Sequence, residues 1–347
     1  MNPELQSLTD LVEDAHIWDA RLSEDHVHPS EIAFCPEGVS VGGRQIPMNP
    51  KAWQNLLTKA GAPATYFEKR TPELRAAALQ EHFEDGAFGR EPRLIFRDGE
   101  LATTASGELI DLSFSDVLGA TVEACEQRGE RLFVAKIGND DERLELELIS
   151  SSAAINVRRG DVVKAGIEIV HERYGVTATQ IQAFIYRLVC SNGMTRRECV
   201  SNNGIARTRR LPATLASARE LQLDQIRRLV GQTLQGLEPQ MQELRLTSER
   251  PADVQELLMR WLQRARIAPR TMMPRLLEAW RLEGSEATHY GAVNALTRVA
   301  THDQQLSRRQ RRALASLGGL LAFSNVHICP RCFSVLGSGT ERREDAA

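Results

Sequence analysis

Hydrophobic positions along the chain keep two rhythms, one of three to four residues that marks helices and one of alternate residues that marks strands. Residues 1–50 alternate short apolar pieces with the turns Cys35-Pro36-Glu37-Gly38 and Val41-Gly42-Gly43, which predicts a helix followed by a β-hairpin. Helical spacing then runs from Ala52 to Ala60 and stops at Gly61 and Pro63. A second helix is predicted with Thr71 as N-cap and Pro72 in its first turn, continuing through Leu74, Ala77, Ala78 and Leu79 to Phe83.

The middle is strand-rich. Arg93–Phe96 and Glu100–Thr104 flank Arg97-Asp98-Gly99, an Asp-Gly hairpin signal. Residues 115–127 are helical in pattern. Arg131–Ile137 and Glu142–Ile149 are predicted to pair across Gly138-Asn139-Asp140. Two longer strands occupy 162–171 and 178–190, the second ending at the turn dipeptide Asn192-Gly193. From 213 to 322 the spacing is helical, with one long segment at 213–237 and others at 252–266, 271–282, 289–301 and 308–322. A break at Thr247-Ser248-Glu249-Arg250-Pro251 separates the first from the rest. Residues 336–347 are small and charged and are expected to form a disordered tail. The expected fold is α+β: an antiparallel strand-rich centre with packed helices, then an all-helical C-terminal region. The corresponding divisions are 1–212, 213–325 and 326–347, the last holding a Cys-x-x-Cys turn and the tail.

Charge changes this picture more than composition does. The net charge of −3 hides a division, because residues 1–150 hold 28 acids against 14 bases while the remainder holds 18 acids against 29 bases. The two parts can attract each other, or the basic part can attract a polyanion. Thirty-eight arginines stand against five lysines, a bias that suits phosphate and that a GC-rich genome also produces. The opening MNPELQSLTDLVEDAH lacks a signal peptide's basic start and apolar run, and the longest apolar stretch, Ala313 to Phe323, is about half a bilayer span. Six cysteines scattered over 347 residues fit a reducing compartment. A cytoplasmic chain without membrane association is expected.

The chemistry-bearing motifs are few. In Asp140 to Leu148, Leu144, Leu146 and Leu148 alternate with Arg143, Glu145 and Glu147, which predicts a half-buried strand with a solvated face rather than a carboxylate metal site. His327, Cys329 and Cys332 offer three zinc ligands in a knuckle-like turn. A fourth would have to come from Cys190, Cys199, His302 or a neighbouring subunit, and the alternative is unligated thiols. No Ser/His/Asp elbow, phosphate-cradling glycine loop or Walker-type lysine is present, so no catalytic residue is proposed. The basic clusters are the better lead. Arg196, Arg197, Arg207, Arg209 and Arg210 follow the Asn192-Gly193 turn against the single acid Glu198. Ser307 to Gln310 forms a capping box threaded with arginines, with Leu314, Leu317 and Leu321 on one helix face and Arg308, Arg311 and Arg312 opposite. Cations in a helix's first turn cost about 0.3–1 kcal/mol each, so local stability does not explain them.

Several stretches resemble a known family. They are Ala60-Gly61-Ala62-Pro63-Ala64-Thr65-Tyr66-Phe67 with Thr71-Pro72-Glu73-Leu74-Arg75, and Arg159-Gly160-Asp161-Val162-Val163-Lys164-Ala165-Gly166-Ile167. To these are added Tyr186-Arg187-Leu188-Val189-Cys190-Ser191-Asn192-Gly193-Met194 and Tyr290-Gly291-Ala292-Val293-Asn294-Ala295-Leu296-Thr297. The chain is similar, over residues 46–322, to the phage/plasmid-like proteins of unknown function carried by bacterial mobile elements, whose most specific run is Arg-Leu-Val-Cys-x-Asn-Gly-Met. That family usually shows an Asn-Ser pair before the preceding glycine, where this chain has His171-Glu172-Arg173-Tyr174-Gly175. The resemblance implies an intracellular, mobile-element protein and supplies no catalytic residues.

The expected function is nucleic-acid binding, with single-stranded DNA as partner, in phage or plasmid DNA metabolism of the annealing or recombination type. Arg187, Arg196, Arg197, Arg207, Arg209, Arg210, Arg308, Arg311 and Arg312 are the expected contacts. Tyr174, Phe184 and Tyr186 are the rings available for stacking, with core packing as their other use. The rival expectation is a non-catalytic, self-assembling or protein-interaction factor, forming homo-oligomers as its acidic part docks on a neighbour's basic part.

Overall fold

The computed structural model describes residues 6–48, 50–62, 64–67, 69–86, 92–107, 109–140, 142–158, 160–174, 179–187, 192–195, 215–323, 325–326 and 335–336. The first stretch holds α1 (Leu8–Ala20), β1 (Leu22–His26), β2 (Ile32–Cys35), β3 (Gly38–Val41) and β4 (Arg44–Pro47). Then come α2 (Pro50–Lys59), α3 (Ala64–Phe67), α4 (Pro72–Glu84), β5 (Pro92–Arg97), β6 (Glu100–Ser106) and α5 (Phe114–Glu126). The long strands follow: β7 (Leu132–Asp140), β8 (Arg143–Arg158), β9 (Asp161–Glu172), β10 (Gln180–Arg187) and β11 (Asn192–Thr195). The helices α6 (Leu215–Gln235), α7 (Leu237–Glu249), α8 (Val254–Arg264), α9 (Pro269–Leu282), α10 (His289–His302) and α11 (Arg308–Phe323) complete the order. Antiparallel sheets lie in the N-terminal and central region and helices in the C-terminal part, so the fold is α+β.

The five-stranded sheet, in the order β11-β10-β9-β8-β7, organises the molecule. Alternate residues of β9, Val163, Ala165, Ile167 and Ile169, are buried and lie on one face. Ile167 and Ile169 join Leu144, Leu146, Leu148 and Ile181 beneath α1, α5 and α6. Val163 and Ala165 join Val157, Ala183 and Ile185 beneath α7 to α11. One face of the sheet is therefore roofed by helices along its whole length. Each fully buried leucine or isoleucine there contributes roughly 2 kcal/mol of transfer free energy. The helical region beyond residue 213 shares both cores with the strands that precede it.

A bulge lets one strand serve both ends. In β8 the inward residues are even-numbered up to Leu148 and odd-numbered at Val157, and the register slips between Ile149 and Ala154. Ser150, Ser151 and Ser152 fill the slip. Their hydroxyls donate to the Glu130 carboxylate at 2.9, 3.3 and 2.5 Å, and the Ala153 N–H donates to Ser150 Oγ at 2.8 Å. Beside it, Gly166 of β9 pairs with both Ile149 and Phe184. A Cβ on Gly166 would lie 1.7 Å from the Leu148 carbonyl oxygen, so only glycine fits.

A smaller module precedes this sheet. β1, β5 and β6 form one three-stranded sheet and β2, β3 and β4 another, sharing a core with α2 and α4 through Val39, Trp53, Leu56, Leu79, Leu94 and Leu101. The hairpin turn at Asp98-Gly99 is as expected, with both residues at positive φ, 50° and 87°. Two expectations are corrected. Asn192 and Gly193 are not the turn: they begin β11 and pair, antiparallel, with Arg187 and Tyr186 of β10. The long helix expected to 237 ends at Gln235, and α7 begins after Gly236.

Candidate nucleic-acid interface

The expected contact residues are distributed unevenly. Arg196, Arg197, Arg207, Arg209 and Arg210 lie outside the described residues, as do His327, Cys329 and Cys332, which fall between the paired segments Asn325–Val326 and Val335–Leu336. Arg187 sits in β10 opposite Val163. Arg308, Arg311 and Arg312 stand on α11, whose capping box is present: the Gln310 N–H donates to Ser307 Oγ at 3.2 Å and the Ser307 N–H to Gln310 Oε1 at 2.9 Å. Leu314, Leu317 and Leu321 are buried, and Arg311 is half-buried. Among the described residues no group of three His, Cys, Asp or Glu side chains could hold a metal ion. Burial, with Glu130 and Glu126 nearby, pushes the Cys125 thiol up to about 12, which disfavours its thiolate.

The rings offered for stacking are used elsewhere. Phe184 is 1% exposed, and Tyr174 is 3% exposed, packed with Ile95 and Ala105. The Tyr186 side chain lies outside the described residues. Among the described aromatic side chains only Tyr66, at 50%, is exposed.

Helices α8 to α11 carry further arginines besides those expected on α11. Residues 250–323 hold twelve arginines, no lysine and six acids. Arg264 at the end of α8, Arg266 in the connection and Arg270 at the start of α9 are all exposed. Arg264 lies 5.7 Å over the Trp261 ring, and Arg266 and Arg270 form no ion pair among the described residues. The backbone at Arg266 is unusual for an arginine. The Ile267 N–H donates to the Leu262 carbonyl at 2.9 Å and the Arg266 N–H to that of Gln263 at 3.1 Å, a Schellman ending with Arg266 at φ 54° where glycine is usual. A side chain there costs about 1 kcal/mol. Arg270 in the first turn of α9 and Arg309 in that of α11 oppose the helix dipole, with no acid in either turn. Arg275 of α9 donates to Asp303, and to Gln305 Oε1 at 3.0 Å, which ties the approach to α11 against the first half of α9.

Other arginines are spent within the molecule. Arg219 bonds Asp116 at 2.5 Å, Arg227 bonds Glu123 at 2.6 Å, and Arg158 pairs with Glu286. Arg158 also reaches Asp161 Oδ2 at 3.4 Å, and the buried Tyr290 hydroxyl donates to that oxygen at 3.0 Å. Two of the stretches that carry the family resemblance therefore meet in space.

A cluster of largely buried charges forms a junction between the small module and the sheet. Arg173, at the end of β9, donates from Nε to Asp111 and from Nη1 to Asp19, both at 2.9 Å. Asp19 also accepts from the first N–H groups of α5, at Phe114 (3.1 Å) and Ser115 (2.9 Å). Arg93 of β5 holds Glu24 of β1 and the Leu109 carbonyl, each at 2.8 Å. His171 Nε2 donates to the Leu112 carbonyl at 2.9 Å. Burial raises the Asp111 carboxyl to about 6 against the pull of Arg173, and burial with the Asp111 charge also raises the Tyr174 phenol. Asp111 Oδ1 and the Tyr174 hydroxyl have no hydrogen-bond partner among the described residues. His171 and Arg173 thus stand where the small module and the sheet are clamped together.

On its other face the sheet is acidic. Arg143 bonds Glu145 at 2.8 Å and also Glu172, Lys136 reaches Glu147 at 3.3 Å, and Glu168 stands opposite Glu147 across the strands. No helix of the described residues is long and apolar enough to cross a membrane.

A family model described as a domain of unknown function, DUF932, matches residues 102–317. No curated protein and no solved structure matches the chain.

Proposed function

The chain belongs to the DUF932 family, and from that footing we propose that it binds single-stranded nucleic acid in phage or plasmid DNA metabolism, as an annealing or recombination factor rather than an enzyme. The observation that carries the reading is the set of arginines held where the local backbone disfavours them: Arg266 at positive φ, Arg270 and Arg309 in first turns. Each placement costs up to about 1 kcal/mol. A phosphate offsets the cost at Arg270 and Arg309, where a helix N-terminus presents free N–H groups, and at Arg266 it supplies a partner for charge-assisted hydrogen bonds from the guanidinium. Arg275 links the first half of α9 to the approach to α11 through Asp303 and Gln305.

Fluorescence anisotropy with a labelled oligonucleotide tests it. Single-stranded DNA is expected to bind at about 50 mM salt and to weaken by orders of magnitude at about 200 mM. The triple variant Arg264→Glu, Arg266→Glu, Arg270→Glu is expected to abolish binding while retaining its circular dichroism. Arg266→Gly separates the terms, raising stability by about 1 kcal/mol while lowering affinity. Absence of any complex between the wild-type protein and single-stranded or duplex DNA or RNA at low salt would overturn the reading. The rival, assembly through acidic and basic parts of neighbouring copies, draws less support because Arg158, Arg219 and Arg227 already pair within the chain. Salt-labile oligomers in light scattering, without nucleic acid, would favour it.

A further inference from the structure

Phosphate contacts alone do not distinguish a single strand from a duplex; an exposed ring that can take an unpaired base does. We propose that Tyr66 and Arg70 form a stacking site for an unpaired nucleobase, in the small module and outside the residues matched by the family model. This rests on the single-strand reading above and adds to it a site of its own.

Three observations support it. Tyr66 is exposed, whereas every other described aromatic side chain is buried or half-buried. Its ring is held from one side by Phe67, edge-on at 5.2 Å and 89°. The Arg70 guanidinium lies 4.2 Å from the ring centroid, and the turn that places it is fixed by the Arg70 N–H donating to the Phe67 carbonyl at 2.9 Å. Ring and guanidinium are therefore presented together, the guanidinium over the ring. A flat base can extend such a stack from the guanidinium's outer face or cover the open part of the ring, because every base has a π-face. Lys69 is exposed beside them and can meet the adjoining phosphate. A polar side chain would serve as well at this position if only solvent were in view.

The test uses the full chain and a thymidine oligonucleotide containing 5-iodouracil. Irradiation is expected to cross-link the base to the peptide bearing Tyr66, as mass spectrometry of the digest would show. In anisotropy, Tyr66→Phe is expected to bind as the wild type, because stacking needs the ring and not the hydroxyl. Tyr66→Ala is expected to lose roughly ten-fold in affinity for the single strand and little for a duplex. Arg70→Lys, which keeps the charge and removes the planar group, is expected to lose several-fold. Tyr66 is exposed, so these variants are expected to melt with the wild type. Wild-type affinity in Tyr66→Ala, with no cross-link at this peptide, would overturn the stacking site and leave the arginine surface standing. A wild-type protein that binds no single strand would remove both.

Discussion

Asp111 is ionisable, buried and tied to Arg173 by one oxygen only. Burial dominates the attraction and lifts its carboxyl from 3.8 to about 6. The folded state thus holds this proton more tightly than the unfolded chain does. Its contribution to stability is whole below about pH 4 and is lost as pH rises through about 6, an amount on the order of 2–3 kcal/mol. Asp98 and Asp116, whose carboxyls are held low, act in the opposite sense and lose their contribution as pH falls. Subtracting the denaturation profile of Asp111→Asn from that of the wild type isolates the first effect. The wild type's relative stability is expected to fall between pH 4 and 6 and to level off above. A difference that stays flat across that range would mean that burial does not hold the proton on Asp111. The variant leaves Arg173 short of a partner, which adds a penalty nearly independent of pH.

Among the elements, the β8–β9 pair is the most tightly specified. Gly166→Ala would drive a methyl group into the Leu148 carbonyl, and no flexible side chain can yield there. The expected loss is about 3 kcal/mol, measured by urea unfolding, with the same change at exposed Gly42 as a milder control. Much of this architecture is legible in the residues themselves. The alternation of Leu144, Leu146 and Leu148 predicts the first half of β8, and Asp98-Gly99 predicts its hairpin, because both signals are local. The second half of β8 is not legible, because Ser150 to Ala154 hold a bulge that turns the pattern to the other parity. β1 is silent for another reason: Leu22-Ser23-Glu24-Asp25-His26 becomes a strand only by pairing with β5, some seventy residues on. Asn192-Gly193 misleads because a turn-forming dipeptide also tolerates a strand when the partner strand supplies the hydrogen bonds. The site divides similarly. The arginines of α11 announce themselves through the capping box, whereas Arg266 is betrayed only by its place at a helix end where glycine is usual. Nothing local separates Tyr66 from a core tyrosine.

At the scale of the molecule, the helical region and the strands do not separate. α6 buries Leu223, Ile226 and Val230 against α1, α5 and the sheet, and α7 to α11 bury their apolar faces on the sheet's other end. A fragment spanning residues 213–325 would expose both surfaces and is expected to lack a cooperative thermal transition. Calorimetry of the purified fragment checks this, and a sharp endotherm would show that the helices hold a sufficient core alone. The roofing of one sheet face has a further consequence. Arginines crowd the helical layer while Glu145, Glu147, Glu168 and Glu172 lie on the opposite face of the sheet. The net charge of only −3 thus conceals a separation, with acids gathered on one side of the sheet and arginines in the helical layer on the other. For the proposed single-strand partner, that separation would orient the molecule before contact, so that an approaching strand would meet the arginine side first.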